Sequence, residues 1–167
     1  MPLNIEIKAQ TDRIDEIRQI LRDHNALEKG TDHQIDTYFY ALNGRLKLRE
    51  GNIENSLIHY QRPDQAGPKT SEVTLYRSQD TETLKTLLSN AFGVWKKVMK
   101  AREIFFIENV KFHLDTVKEL GTFVEIEAID KDGTIGKEKL IQQCQHYMEL
   151  FQIRDEDLLE KSYSDMI

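Results

Sequence analysis

One cysteine, Cys144, stands among 167 residues, so no internal disulfide can form. A lone thiol with no secretory signal pattern leads to the expectation of a cytoplasmic protein. No apolar run approaches the roughly 20 residues that a spanning helix needs, so no membrane association is expected. An excess of positive charge is also missing: 23 Lys and Arg meet 29 Asp and Glu, a formal net charge of -6. The chain as a whole is therefore not drawn to nucleic acid or to an anionic membrane surface, although a local basic pocket is compatible with that balance. There is no glycine-rich phosphate loop and no Gly-x-Ser-x-Gly. His33, His59, His113 and His146 lack zinc spacing, and one cysteine cannot complete a thiolate site. Neither internal repeats nor low-complexity segments occur. With 39% hydrophobic and 31% charged residues the chain is polar but able to bury a core, and its length suits one domain over 1–167.

What is present is charge in strand-like register. Within residues 122–128, Thr-Phe-Val-Glu-Ile-Glu-Ala, aromatic or acidic positions alternate with aliphatic ones from Phe123 onward. That period of two sets Phe123, Glu125 and Glu127 on one face, and Val124, Ile126 and Ala128 on the other. Residues 4–8 repeat the design with Glu6 and Lys8 on one face, and 110–115 end in Asp115. Glutamate is a poor strand former, so acids at this density need a cause. They line either the wet face of an antiparallel sheet or a ring of carboxylates inside a polar barrel, placed for a hard divalent cation.

Taken in order, residues 3–9 read as a strand. Thr11 or Asp12 then caps a helix to about His24, with Ile14, Ile17, Ile20 and Leu21 as its apolar stripe. Strands follow at 34–40, 45–49 and 56–62, with Asn43-Gly44 as a hairpin signal. Arg45, Lys47 and Arg49 share one face and Leu46 and Leu48 the other; Ile58, Tyr60 and Arg62 share a face of the next strand. Residues 63–69, with two prolines and a glycine, form a loop, and 71–76 resume a strand. Asp80 opens a second helix that Gly93 stops. A long strand over 94–107 carries Lys96, Lys100 and Arg102. A third helix spans 137–151, where Cys144 belongs to the packing stripe rather than to chemistry. A short acidic helix near 155–160 precedes the tail Ser162-Tyr163-Ser164-Asp165-Met166. About eight strands with few helices imply an α+β fold: an eight-stranded antiparallel closed β-barrel, a tunnel, with flanking helices.

In such a barrel the Leu, Ile and Val set packs against the helices and the charged set points inward. Glu6, Asp115, Glu125 and Glu127 are acids on separate positions of the wall; Lys8, Lys47, Arg49, Arg62, Lys100 and Arg102 are bases. Like charges in a lumen repel strongly at reduced dielectric and persist only if compensated. A metal ion on the acids and a polyanion on the bases would complete the compensation, and mixed Lys/Arg sets suit phosphate chains.

The ordered set Glu6-Ile7-Lys8, residues 44–49, Asp36-Thr37-Tyr38-Phe39, Tyr60-Gln61-Arg62, Lys100-Ala101-Arg102, His113-Leu114-Asp115, residues 120–127 and Ser162-Tyr163 resembles the CYTH family, the triphosphate tunnel metalloenzymes. Its class IV adenylyl cyclase-like and thiamine triphosphatase-like branch is the nearest match. The resemblance implies an eight-stranded tunnel that holds a triphosphate and Mg²⁺ or Mn²⁺. It makes Glu6, Asp115, Glu125 and Glu127 metal ligands, with Glu6, Lys8 and Glu125 catalytic. Lys8, Lys47, Arg49, Arg62, Lys100 and Arg102 would grip phosphate, and Lys69 would close over it as a lid. The implied substrate is a small triphosphate (ATP, thiamine triphosphate or tripolyphosphate), the state monomer or homodimer. The implied activity is triphosphate hydrolysis, with ATP cyclisation to cyclic AMP and pyrophosphate, or binding without turnover, as alternatives. One departure stands out: the family opens on Glu-x-Glu-x-Lys, and here the first acid is Asn4.

Overall fold

Eight strands close on themselves in the computed structural model, which describes residues 3–61 and 65–167. The elements are β1 (Leu3–Gln10), α1 (Ile14–Asp23), β2 (Leu27–Phe39), β3 (Arg45–Glu50), β4 (Asn55–Gln61), β5 (Lys69–Arg77) and α2 (Thr81–Phe92). They continue with β6 (Val94–Ile107), β7 (Val110–Val117), β8 (Gly121–Asp130), α3 (Lys137–Leu150), a 3₁₀ turn at Asp155–Asp157 and α4 (Tyr163–Met166). The order around the barrel is β1-β5-β4-β3-β2-β6-β7-β8, all pairs antiparallel, with β8 closing onto β1. This is the α+β closed barrel with flanking helices that the charge alternation implied. Closure leaves no unpaired sheet edge along the acid-bearing strands.

Alternation splits each strand between two environments. On the outside, Ile5 and Ile7 of β1, Phe112 and Leu114 of β7, and Val124, Ile126 and Ala128 of β8 form one core. Helix α1 covers it with Ile17 and Leu21, and α3 with Leu140 and Cys144. Burial pushes the Cys144 thiol up to about 12, so it is packing and not a nucleophile. Leu46 and Leu48 of β3 face out against Phe39 and against Leu84 and Leu88 of α2. With the leucines outside, Lys47 and Arg49 can only turn inward. Among the described residues no helix is long and apolar enough to cross a membrane.

Several local expectations shift. Helix α1 begins at Ile14 with Arg13 in the N-cap and no side-chain cap. The reason is that Thr11 is still tied to the sheet, its N–H donating to the Thr122 carbonyl at 3.1 Å. Strand β2 starts at Leu27, not 34, because it follows β6 along its length, Leu27 opposite Phe106. A register shift between Glu28 and Gly30, where Gly30 takes φ +122°, breaks the alternation that would have marked it. Lys69, expected in a loop, is the first residue of β5 and lies opposite Glu6. The acidic stretch at 155–160 makes only one 3₁₀ turn before Leu158 bridges to Ala9. The hairpin at Gly44 is as expected: φ is +66°, and a Cβ there would fall 2.5 Å from the Tyr60 carbonyl oxygen.

Candidate functional site

The interior holds a cavity of about 680 Å³. Glu6 and Lys8 of β1 and Glu125 and Glu127 of β8 line one side; Lys47 and Arg49 of β3 and Lys100 and Arg102 of β6 line another. Glu6 faces Glu127 across the β1–β8 ladder, and Lys8 faces Glu125. Lys8 Nζ lies 3.4 Å from Glu125 Oε1 and Arg102 Nη2 lies 3.9 Å from Oε2. The acids and bases therefore share one hollow rather than opposite exteriors of a sheet.

Two buried carboxylates organise the cations. Asp36 of β2 has no exposed surface. Arg49 donates to both of its oxygens, Nε to Oδ1 and Nη2 to Oδ2, each at 2.9 Å. Lys100 Nζ reaches Oδ2 at 2.7 Å and Lys47 Nζ at 3.2 Å. Burial alone would raise the Asp36 carboxyl, but Arg49, Lys100 and Lys47 together hold it well below the carboxylate range. Asp115 of β7 does the same for Arg102, which donates Nε and Nη2 to its two oxygens at 2.8 Å each. Against the cost of burial, Arg102 holds the Asp115 carboxyl at about 2. Both arginines present a fork to a buried acid, which fixes their planes.

On the acid side, charge is under-compensated. Burial and then the Glu6 carboxylate push Glu127 up to about 7. Asn4 Nδ2 donates to Glu127 Oε1 at 3.0 Å, while Asn4 Oδ1 is buried with no hydrogen-bond partner among the described residues. Glu125 is held well below its ordinary value, Lys8 and His113 prevailing over burial. Since that carboxylate is ionised and can only accept, the 3.1 Å contact with His113 Nδ1 is donated by the histidine. Burial and the neighbouring Arg102 lower His113 to about 4, so it is a neutral ring at pH 7. Among the described residues, no three His, Cys, Asp or Glu side chains already converge as a metal cage. Glu125 is turned to Lys8 and His113, and Glu127 to Asn4.

The C-terminal tail fills one end of the barrel. Tyr163 packs with Tyr38, Ile58, Tyr60, Val98, Val117 and Phe123. Its hydroxyl donates to Asp115 Oδ2 at 2.8 Å, and Lys8 Nζ sits 3.7 Å from its ring centroid. Lys69 Nζ donates to the Glu160 carbonyl at 2.8 Å, Lys96 to the Ser164 and Ile167 carbonyls, and Arg45 pairs with Asp165 at 2.8 Å. At the other end Ile53, Leu75, Phe106 and Ile129 line the cavity beside Lys111.

Of the residues singled out in the sequence, Glu6, Lys8, Lys47, Arg49, Lys100, Arg102, Glu125 and Glu127 all line the cavity. Asp115 does not: Arg102 and Tyr163 take its oxygens, so its geometry is that of an arginine anchor rather than a metal ligand. Lys69 is not a mobile lid but a buried strand residue bound to the tail. Arg62 lies outside the described residues. Sequence reasoning noted Asp36 only within the Asp36–Phe39 motif and overlooked its place in the site, although it shares strand parity with Tyr38. It also overlooked Lys111 and Glu54, which pair at 2.7 Å at the cavity edge, and the plugging role of Tyr163.

The CYTH domain profile matches residues 2–163. A Methanocaldococcus jannaschii protein provisionally named an adenylate cyclase is 25% identical over 135 residues, 79% of this chain and 75% of its own. The solved structure of the Pyrococcus horikoshii OT3 protein PH1012 superposes with a TM-score of 0.85 at 24% identity, covering 98% of this chain and 99% of that one. A provisional adenylyl cyclase of Hippeastrum, described as having a dominant triphosphatase activity, superposes with a TM-score of 0.60 at 15% identity, covering 99% and 93%.

Proposed function

This chain belongs to the CYTH domain family, and from that premise we propose that it is a metal-dependent enzyme that draws a triphosphate chain into its barrel and hydrolyses it. The observation that carries this reading is the pairing of an under-compensated acid cluster with a pre-assembled cation wall in one cavity. Neither half has a purpose alone: a lumen of unopposed charges costs free energy that ordinary packing does not return.

The donor set fits a hard divalent cation, Mg²⁺ or Mn²⁺. It is all oxygen, Lys111 and Arg102 do not offset burial and Glu6 at Glu127, and Asn4 Oδ1 is a buried acceptor without a donor among the described residues. Glu6, Glu125 and Glu127 would hold the ion. When bound, such an ion neutralises phosphate charge and acidifies a water for in-line attack. Lys47, Arg49, Lys100 and Arg102 would take the phosphate oxygens, the arginines through the guanidinium N–H groups that Asp36 and Asp115 do not engage and the lysines as point charges. Burial presses Lys100 well below the ordinary lysine value while Asp36 opposes it, and the negative charge of a bound triphosphate would favour its charged form further. Lys8, set between Glu125 and the Tyr163 ring, would bridge the acid side to the phosphates. Through the family resemblance, Arg62 would add to the phosphate-binding set, and Lys69 would have to leave the Glu160 carbonyl to join it. The lone buried thiol of Cys144 suits the reducing cytoplasm.

A second reading, cyclisation of ATP to cyclic AMP and pyrophosphate, is favoured by two observations. One is the name borne by the Methanocaldococcus relative. The other is the apolar rim of Ile53, Leu75, Phe106 and Ile129, which could seat a base. Incubation with Mg²⁺ or Mn²⁺ and tripolyphosphate, thiamine triphosphate or ATP separates them. Orthophosphate release supports hydrolysis, cyclic AMP with pyrophosphate supports cyclisation, and binding without turnover leaves a triphosphate-binding protein.

A further inference from the structure

Three of the four wall cations converge on a single atom. Asp36 Oδ2 lies 2.9 Å from Arg49 Nη2, 2.7 Å from Lys100 Nζ and 3.2 Å from Lys47 Nζ. A carboxylate oxygen that accepts from Arg49 and Lys100 and has Lys47 as a third cation at ion-pair distance is surrounded as a terminal phosphate oxygen would be by the same side chains. Asp36 itself does not line the cavity; it stands behind the three side chains that do. It arrives there by register, directly opposite Arg49 on β3 and between the Lys100 and Lys47 strands.

We infer that Asp36 is a positioning residue for triphosphate binding: its carboxylate gathers Lys47, Arg49 and Lys100 into a phosphate-shaped array and releases Lys47 to the incoming anion. Lys47 is the one that transfers. It holds the longest of the three contacts, and its side chain keeps 13% exposure against 1% for Lys100. Apart from Asp36, its acceptor among the described residues is the Tyr38 hydroxyl at 3.4 Å, a weak hold. Arg49 stays behind because two parallel bonds fix its plane. The array is thus built before substrate arrives, which removes most of the ordering cost that three long cationic side chains would otherwise impose on binding.

This inference rests on the reading of the barrel as a triphosphate site, and the experiment separates the two. Calorimetric titration of tripolyphosphate with Mg²⁺ into the intact protein comes first; absence of binding to the unaltered protein would overturn both. Asp36→Asn, Lys47→Met and the double variant are then compared, with folding checked by circular dichroism and Tm. Asp36→Asn should weaken binding about tenfold or more and raise KM far more than it lowers kcat. Lys47→Met should weaken the original protein about fivefold or more, yet cost less than about twofold in the Asp36→Asn background, because Lys47 is no longer placed. Losses that simply multiply, or a folded Asp36→Asn protein that binds like the original, would overturn the role of Asp36. Should Asp36→Asn not fold, the unaltered protein decides through the ¹³Cγ resonance of Asp36. It should move on tripolyphosphate addition as Lys47 departs, and a resonance that stays fixed while the anion binds would overturn the transfer.

Discussion

Asn4 donates from Nδ2 to Glu127 Oε1 across 3.0 Å, while its own carbonyl oxygen finds no hydrogen-bond partner among the described residues. The amide thus restrains a carboxylate that burial and Glu6 hold up at about 7, and points an uncharged acceptor into the same corner. Asn4→Asp keeps the shape but swaps the donor for a second charge. The metal-free protein should lose about 1–2 kcal/mol of stability from the lost bond and the added repulsion. Mn²⁺ affinity, read by calorimetry, should rise about tenfold as a hard anionic ligand joins the set. Unchanged stability together with unchanged Mn²⁺ affinity would remove Asn4 from the acid corner.

Tyr163 seals one end through a 2.8 Å bond to Asp115 and through ring packing with Phe123, the centroids 5.0 Å apart. Tyr163→Phe should cost about 1–2 kcal/mol in urea denaturation, since Asp115 keeps both bonds from Arg102. Tyr163→Ala should cost about 3–5 kcal/mol, the range for emptying a buried aromatic site. Equal stabilities for the two variants would mean that the ring does not carry the closure.

His113 gives a pH dependence of definite sign. Its folded value near 4 lies below the ordinary 6.5, chiefly through burial and then Arg102. Above pH 6.5 both states hold it neutral and it contributes nothing to the slope. As pH falls from 6.5 to about 4 the unfolded chain takes up a proton that the folded chain refuses, so stability falls by on the order of 3 kcal/mol and then levels. His113→Asn should flatten that part of the stability profile. A profile equally steep in the variant would assign the acid sensitivity to other groups.

Glu125 is the acid in contact with Lys8, Arg102 and His113. Glu125→Gln keeps the size but removes the charge, and metal-dependent turnover should fall by at least about a hundredfold. Phosphate-release assays at saturating Mn²⁺ check this, and an unchanged rate would exclude Glu125 from the reaction.

The barrel was legible because its charges obey strand parity. Glu125 and Glu127 alternate with Val124, Ile126 and Ala128, and Lys47 and Arg49 with Leu46 and Leu48, so burying the aliphatic set under helices sends the charges inside. What parity cannot give is which inward charges meet. Asp115 has the parity of a cavity acid, but its depth beside Arg102 and Tyr163 depends on a tail some 48 positions away in the chain. Asp36 was hidden for the same reason, since its three partners come from β3 and β6 and only the closed register assembles them. The early part of β2 was missed because the register shift near Gly30 destroys the period of two. Lys69 looked like loop because its neighbours are Gly67 and Pro68, although pairing with Glu6 draws it into the sheet.

The most direct measurement is a crystal structure of the protein with Mn²⁺ and tripolyphosphate, with manganese located by anomalous scattering. A manganese peak is expected at about 2.2 Å from oxygens of Glu6, Glu125 and Glu127, with phosphate oxygens along Lys47, Arg49, Lys100 and Arg102. Tripolyphosphate bound on the outer surface, or manganese seated away from those three carboxylates while the cavity stays clear of phosphate, would contradict it.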